Sequence, residues 1–204
     1  MVRQRFFCID MLLVKSFRSL FAICKQRTRY LSCIMKAHNG MRPQDIVILL
    51  KILLAEKESW QYRDLSASLL ISVSEIAESL NRSHLAGLID VTKKKVHRLS
   101  IMEFIKYGLH YVFPQRPGAI VTGIATAHSH PFYQTHFESE INYVWEHENG
   151  DLRGQAIQPL YKGLATAALQ DEQLYRMLAG IDIIRVGKAR EKKFAITELE
   201  KAIL

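Results

Sequence analysis

The chain has 204 residues, a formal net charge of +8, and the apolar and charged fractions of an ordinary folded protein. Its length allows one medium-sized domain or two small ones. Its three cysteines, an odd number, exclude a disulfide framework and suit a reducing cytoplasm. No uninterrupted apolar run reaches the ~20 residues that a membrane-spanning helix needs. We therefore expect a cytoplasmic protein without a membrane partner.

The positive charge is concentrated at the N-terminus, where residues 1–40 hold eight Lys/Arg against one Asp. Residues 41–114 hold ten basic against eight acidic side chains, and residues 115–204 hold ten against eleven. Apolar residues recur at helical spacing between Phe6 and Cys24, which fits a basic amphipathic helix. Because the composition changes at Met35, we favour the interpretation that residues 1–34 lie upstream of the natural protein or are loosely attached to it.

Three helices are predicted after this basic extension. The first begins at Pro43, since proline suits the first turn of a helix. The second covers roughly residues 62–69, where Leu65 and Leu69 face inward. The third begins near Val73, because the Ser72 hydroxyl and the Glu75 carboxylate can form a capping box, and it ends before Gly87. The segment "LIDV" then reads as a strand.

This order of helix, short turn, helix, glycine and strand resembles the winged helix-turn-helix of MarR-like bacterial transcriptional regulators. The resemblance covers about residues 41–114. It implies a sequence-specific DNA-binding regulator, a probable repressor that occludes a promoter as a homodimer on paired half-sites. The residues that carry it are Leu65, Ser66, Leu69, Ile71, Ser72, Ile76, Leu80, Ala86, Gly87, Leu88 and Ile89.

The expected DNA contacts come from the third helix and from the wing that follows it. In the major groove Asn81 suits adenine, and Arg82 suits guanine or a phosphate. The outward residues of the helix are Ser72, Ser74, Ala77, Glu78, Asn81 and Arg82, and the basic residues of the wing are Lys93, Lys94, Lys95 and Arg98. Glu78 argues against DNA binding, and a lysine run is often only a solvated turn. A structural or protein-binding role for the same fold remains the alternative.

After the wing, the sequence predicts a further helix over residues 100–114, a strand over residues 119–125 and then a β-hairpin. Tyr143 and Trp145 share one strand face, and Asn149-Gly150 is a strong turn signal. The remainder reads as helical. The predicted fold class is α+β and mainly helical, with a winged helix-turn-helix over residues 41–114 and a small α/β region with a β-hairpin over residues 115–204. That region would mediate dimerisation or bind a partner or ligand.

Other chemistry has weaker support in the sequence. His128 and His130 would share one face of a strand as metal ligands, although solvated loop histidines are the commoner explanation. A second basic cluster is formed by Arg185, Lys188, Arg190, Lys192 and Lys193. No phosphate loop or nucleophile motif is present, so we expect neither an enzyme nor a cofactor. The alternative function is an antitoxin-like module that neutralises a protein partner through the C-terminal region.

Overall fold

The computed structural model describes residues 40–56, 59–137 and 139–204. Gly40–Leu204 form one unit, and more than half of the described residues are helical. The predictions for the basic extension, including its amphipathic helix and its cysteines, lie outside the described residues. Among the described residues, no helix has both the length and the apolar character needed to cross a bilayer.

The three predicted helices are present as α1 (Pro43–Ala55), α2 (Tyr62–Leu69) and α3 (Val73–Leu85). Helix α1 is central, since nearly all its side chains from Asp45 to Leu53 are buried. Helix α2 ends at Leu70, whose φ of 55° turns the chain toward α3. The Tyr161 hydroxyl donates a 2.7 Å hydrogen bond to the carbonyl of Leu69 and holds this turn against the C-terminal part of the chain.

The predicted strand "LIDV" is wrong in extent. Gly87, with a φ of 72°, ends α3, and only one antiparallel bridge follows, between Ile89 and Val96. Both residues are buried, so they anchor the two ends of a short loop that carries the lysines. We call residues 89–96 the wing.

The predicted helix over residues 100–114 is a helical segment with an interruption. It consists of α4 (Arg98–Glu103), a π-helical turn (Phe104–Gly108) and α5 (Leu109–Val112). The ring of Phe104 lies over Gly108, where a Cβ atom would be 3.1 Å from its Cδ2. The π-turn thus occurs where a missing side chain lets the ring pack onto the backbone.

The predicted hairpin is wrong. Strands β1 (Ile120–Ala125), β2 (Tyr143–Glu146) and β3 (Leu152–Ala156) form a closed three-stranded sheet. Both β2 and β3 pair antiparallel with β1, and they are therefore parallel to each other. A 3₁₀ turn (Ala127–Ser129) and a short helix α6 (Pro131–Gln134) follow β1.

Three helices complete the chain: α7 (Leu164–Ala168), α8 (Glu172–Val186) and α9 (Ala189–Ile203). Asp171 caps α8 by accepting a 3.0 Å hydrogen bond from the amide of Leu174, and its carboxylate lies 2.6 Å from Lys51 Nζ of α1. Apolar side chains of α1, α8 and α9 belong to one continuous core. The division into separate regions at residue 114 stays a prediction.

Candidate nucleic-acid interface

One side of α3 presents a polar surface. Ser72, Ser74 and Glu78 are exposed, while Ala77 and Asn81 are half-buried. The opposite side is buried through Ile76, Ser79, Leu80 and Ser83. This division agrees with the predicted outward face for these five residues.

Arg82 is the exception, and its prediction as an outward DNA contact is wrong. Its side chain is 9% exposed and lies against the beginning of α1. Its Nε and Nη2 atoms donate hydrogen bonds of 2.9 and 2.7 Å to the two carboxylate oxygens of the fully buried Asp45. These bonds raise the pKa of Arg82. A buried carboxylate requires such a partner, and the guanidinium therefore faces inward.

Glu75 joins the same network. The Ser72 hydroxyl accepts a 3.2 Å hydrogen bond from the amide of Glu75, which confirms the Ser72 half of the predicted capping box, whereas the Glu75 carboxylate turns to other partners. The Glu75 carboxylate accepts bonds of 2.6 Å from Arg82 and 2.7 Å from the Gln44 amide. Partial burial raises the pKa of Glu75, but the bonds and charges of Arg82 and Arg42 outweigh it and leave that pKa below its usual value. Glu75 thus links α3 to α1 and neutralises positive charge.

Asp90 organises the wing. Its Oδ1 accepts hydrogen bonds of 2.9 and 3.0 Å from the amides of Lys94 and Lys95, and its Oδ2 accepts one from the Thr92 hydroxyl. The Thr92 bond, followed by the backbone amides, lowers the pKa of Asp90 to about 2. Lys93 lies in the left-handed region with a φ of 57°, which closes the turn.

The wing lysines differ in what they contact. Lys93 Nζ donates to the Asn81 side-chain oxygen and so connects the wing to α3. Lys94 Nζ lies 3.8 Å from the ring centroid of Trp60 and donates a 2.8 Å hydrogen bond to its carbonyl. Lys95 is exposed, and its ammonium has no hydrogen-bonding or ionic partner among the described residues. The wing therefore presents one uncommitted positive charge next to two committed ones.

Unlike Lys95, Arg98 is not a free cation. It is the first residue of α4, and its guanidinium donates to the Glu56 carboxylate and to the Ile203 carbonyl near the C-terminus. Its side chain is 40% exposed, and its predicted role as a DNA contact stays a prediction. Because Arg98 begins α4, its side chain turns toward α9.

The two candidate metal-ligating histidines do not lie in a strand, and each forms a different contact. His128, in the 3₁₀ turn, has its Nε2 2.8 Å from the carbonyl of Ile141 and its ring 4.4 Å from that of Tyr143. His130 Nδ1 accepts a hydrogen bond from the amide of Phe132 and so caps α6. Within the described ranges, no group of three or more His, Cys, Asp or Glu side chains has the geometry of a metal site.

The second basic cluster is not a single exposed patch. Arg185 is buried and donates a 2.8 Å hydrogen bond to the fully buried Asp182. The other Asp182 oxygen accepts bonds of 2.8 Å from the Thr126 hydroxyl and 2.7 Å from the Trp145 indole. Burial raises the pKa of Asp182, against the lowering effect of Arg185 and these bonds. Sequence reasoning missed this network, although an aspartate inside "GIDIIR" with an arginine three residues later is a signal for a buried ion pair.

Neither the family models, nor the curated proteins, nor the solved structures contain a match to this chain. The interpretation of the α3 and wing surface therefore depends on its own chemistry.

Proposed function

We propose that the chain is a sequence-specific DNA-binding transcriptional regulator in which α3 enters the major groove and the wing lies along the phosphate backbone. The polar side chains on the outward side of α3 support this proposal, since Ser72, Ser74 and Asn81 offer hydrogen-bonding groups that could contact base edges and phosphates. The N-terminus of α3 adds the partial positive charge of the helix dipole.

The observation that carries the proposal is the contact between Lys93 and Asn81. It links the tip of the wing to the outward side of α3. A base-reading amide and a phosphate-binding loop thus share one surface.

We further propose that the regulator acts as a homodimer and represses by covering a promoter. Tyr107 and Tyr111 are one helical turn apart on the α4–α5 segment and are 66% and 80% exposed. Exposed tyrosines one turn apart are typical of protein interfaces rather than of solvated helix surfaces. Two copies paired through this segment would present two α3 helices to two half-sites.

Fluorescence anisotropy of the full chain tests the DNA-binding proposal. The probes are labelled DNA from upstream of its own gene and scrambled DNA of the same composition, each at two salt concentrations. We expect tighter binding to the upstream DNA. Asn81→Ala should reduce the preference between the two DNAs by about 1–3 kcal/mol, and Lys95→Ala should weaken both and lower the salt slope by about one.

The matched control is Lys201→Ala, which removes an exposed lysine of α9 far along the chain from the wing. It should leave both affinities unchanged. Equal binding to the two DNAs, or an equal loss for Lys95→Ala and Lys201→Ala, would contradict the proposal. Failure of the wild-type chain to bind DNA, together with co-purification of a stoichiometric protein, would favour the antitoxin-like alternative.

A further inference from the structure

A cavity of about 380 Å³ lies between α8, α9 and the end of α1. We call it the α8–α9 cavity. Its size falls at the lower end of the range in which proteins bind small molecules, roughly 300–1,000 Å³. Leu54, Met177 and Leu199 supply apolar surface, while the polar side chains that line it are Tyr133, Gln173, Arg176, Glu198 and Lys201.

The phenol of Tyr133 is the most informative polar group of this cavity. The side chain is 1% exposed, yet its hydroxyl forms no hydrogen bond within the part of the chain that the structure describes. It lies over Gly180 of α8, where a Cβ atom would be 2.6 Å from the hydroxyl oxygen. Tyr133 lines the cavity, so its unpaired hydroxyl can be reached by a group that enters the cavity. The glycine therefore makes room for a group whose hydrogen-bonding capacity this chain does not use.

Arg176 is held at the edge of the same cavity by two contacts. Its guanidinium carbon lies 3.4 Å from the ring centroid of Phe132, and its Nη2 lies 2.6 Å from the Glu198 carboxylate. The stacking fixes the plane of the guanidinium, and the ion pair uses only one edge of it. The remaining N–H groups of Arg176 have no acceptor among the described residues.

The charge of the lining favours an anion. Lys201 Nζ lies 2.7 Å from the second oxygen of Glu198, so two cations share one carboxylate. The Gln173 side-chain amide also has no partner within the described ranges. Arg176 thus supplies the charged donor around this apolar floor, and the Tyr133 phenol and the exposed Gln173 amide can each donate as well as accept.

We propose that the α8–α9 cavity binds a small carboxylate with an apolar body, its carboxylate accepting hydrogen bonds from Tyr133 and Arg176 and its body covering Met177 and Leu199. The inference concerns binding alone and holds whether or not the chain binds DNA.

The test uses three probes of the same length with the full chain: hexanoate, hexanol and hexylamine. Binding is followed by ¹H–¹⁵N chemical-shift changes. We expect saturable binding of hexanoate with a Kd on the order of 1 mM, since so few atoms limit the affinity. Hexanol should bind at least about tenfold more weakly, because a hydrogen bond to a charged group is lost, and hexylamine should not bind. Shifts should occur in α8 and α9.

Two substitutions identify the site. Tyr133→Phe removes only the unused hydroxyl, so it should weaken hexanoate binding about tenfold or more without lowering the unfolding temperature. Its control is Tyr111→Phe, which removes an exposed phenol on the α4–α5 segment. Arg176→Gln should abolish the preference for hexanoate over hexanol, whereas Arg190→Gln, at an exposed arginine, should not. Absent or unsaturable hexanoate binding, equal affinities for hexanoate and hexanol, or unchanged binding in Tyr133→Phe would overturn the proposal.

Discussion

Replacement of Arg82 by alanine is expected to destabilise the chain strongly. The substitution leaves the Asp45 carboxylate, which is 0% exposed, with the backbone amide of Arg42 at 2.8 Å as its remaining donor. It also removes the 2.6 Å bond to Glu75. Breaking a buried ion pair by removing one partner costs about 3–5 kcal/mol, a large part of the ~5–15 kcal/mol that stabilises a typical domain.

Urea denaturation followed by circular dichroism measures this loss, and Arg42→Ala is its control. Arg42 also contacts Glu75, at 3.3 Å, but its side chain is 44% exposed, and such a pair contributes about 1 kcal/mol or less. A second comparison replaces both partners, as Asp45→Leu with Arg82→Met. Because no buried charge then lacks a partner, the double variant should recover most of the stability, apart from about 1 kcal/mol for the lost cap of α1.

The reasoning would be refuted if Arg82→Ala cost no more than Arg42→Ala, or if the double variant were as unstable as the single one. The first result would mean that Arg82 reaches solvent, as the sequence suggested. The second would mean that the packing of the arginine stem, rather than the compensation of charge, stabilises the contact between α1 and α3.

Three further outcomes follow from buried polar groups. Ser79 and Ser83 bury hydroxyls that have no partner among the described residues, so Ser→Ala at each should raise the free energy of unfolding by about 0.5–1 kcal/mol in urea; a loss would contradict this. Burial, followed by the charge of Arg176, lowers the pKa of His130 to about 4. Because the unfolded chain then binds a proton more readily than the folded one, the folded chain should lose stability as pH falls from about 6.5 to 4. An NMR titration of His130 with a midpoint near 6.5 would contradict this prediction. Gly180→Ala should destabilise the wild type despite the better helix propensity of alanine, but not the Tyr133→Phe variant; equal effects in thermal unfolding would show that the hydroxyl is not the obstacle.

Signals within a few residues predicted the helices well, whereas contacts between distant elements could not be predicted from them. Pro43, Ser72 and Gly87 mark helix ends through local backbone geometry and nearby bonds, and α1 and α3 begin or end where these signals predict. Arg82 lies at the border between the buried and exposed sides of α3. Its direction depends on Asp45, 37 residues earlier in the chain. No periodicity within α3 contains that information.

The pairing of the strands could not be predicted from local signals either. Asn149-Gly150 does lie between two strands, but both strands pair antiparallel with β1, and they pair with each other in parallel rather than as a hairpin. The sheet closes through glycines: a Cβ atom on Gly150 would be 2.2 Å from the Cα of Gly123, and one on Gly154 would be 2.4 Å from the carbonyl oxygen of Asn142. A turn signal predicts where the chain reverses, whereas the missing side chains decide which backbones come together.

The charges around α3 and the wing bear on how a DNA complex would gain its affinity. Arg82 and Arg98 are committed to carboxylates of the chain itself, and Lys94 is held by Trp60. Lys95 is exposed on the wing without an ionic partner among the described residues, and the acidic Glu78 is exposed on α3. Because counterion release scales with the number of phosphates neutralised, the α3 and wing surface of one copy, with the three wing lysines as its main cations, would by itself bind non-specifically only weakly. Under the proposed function, discrimination therefore comes from the hydrogen-bonding groups of α3, and useful affinity requires two copies on one DNA. Dimerisation would then be a condition for repression rather than an addition to it.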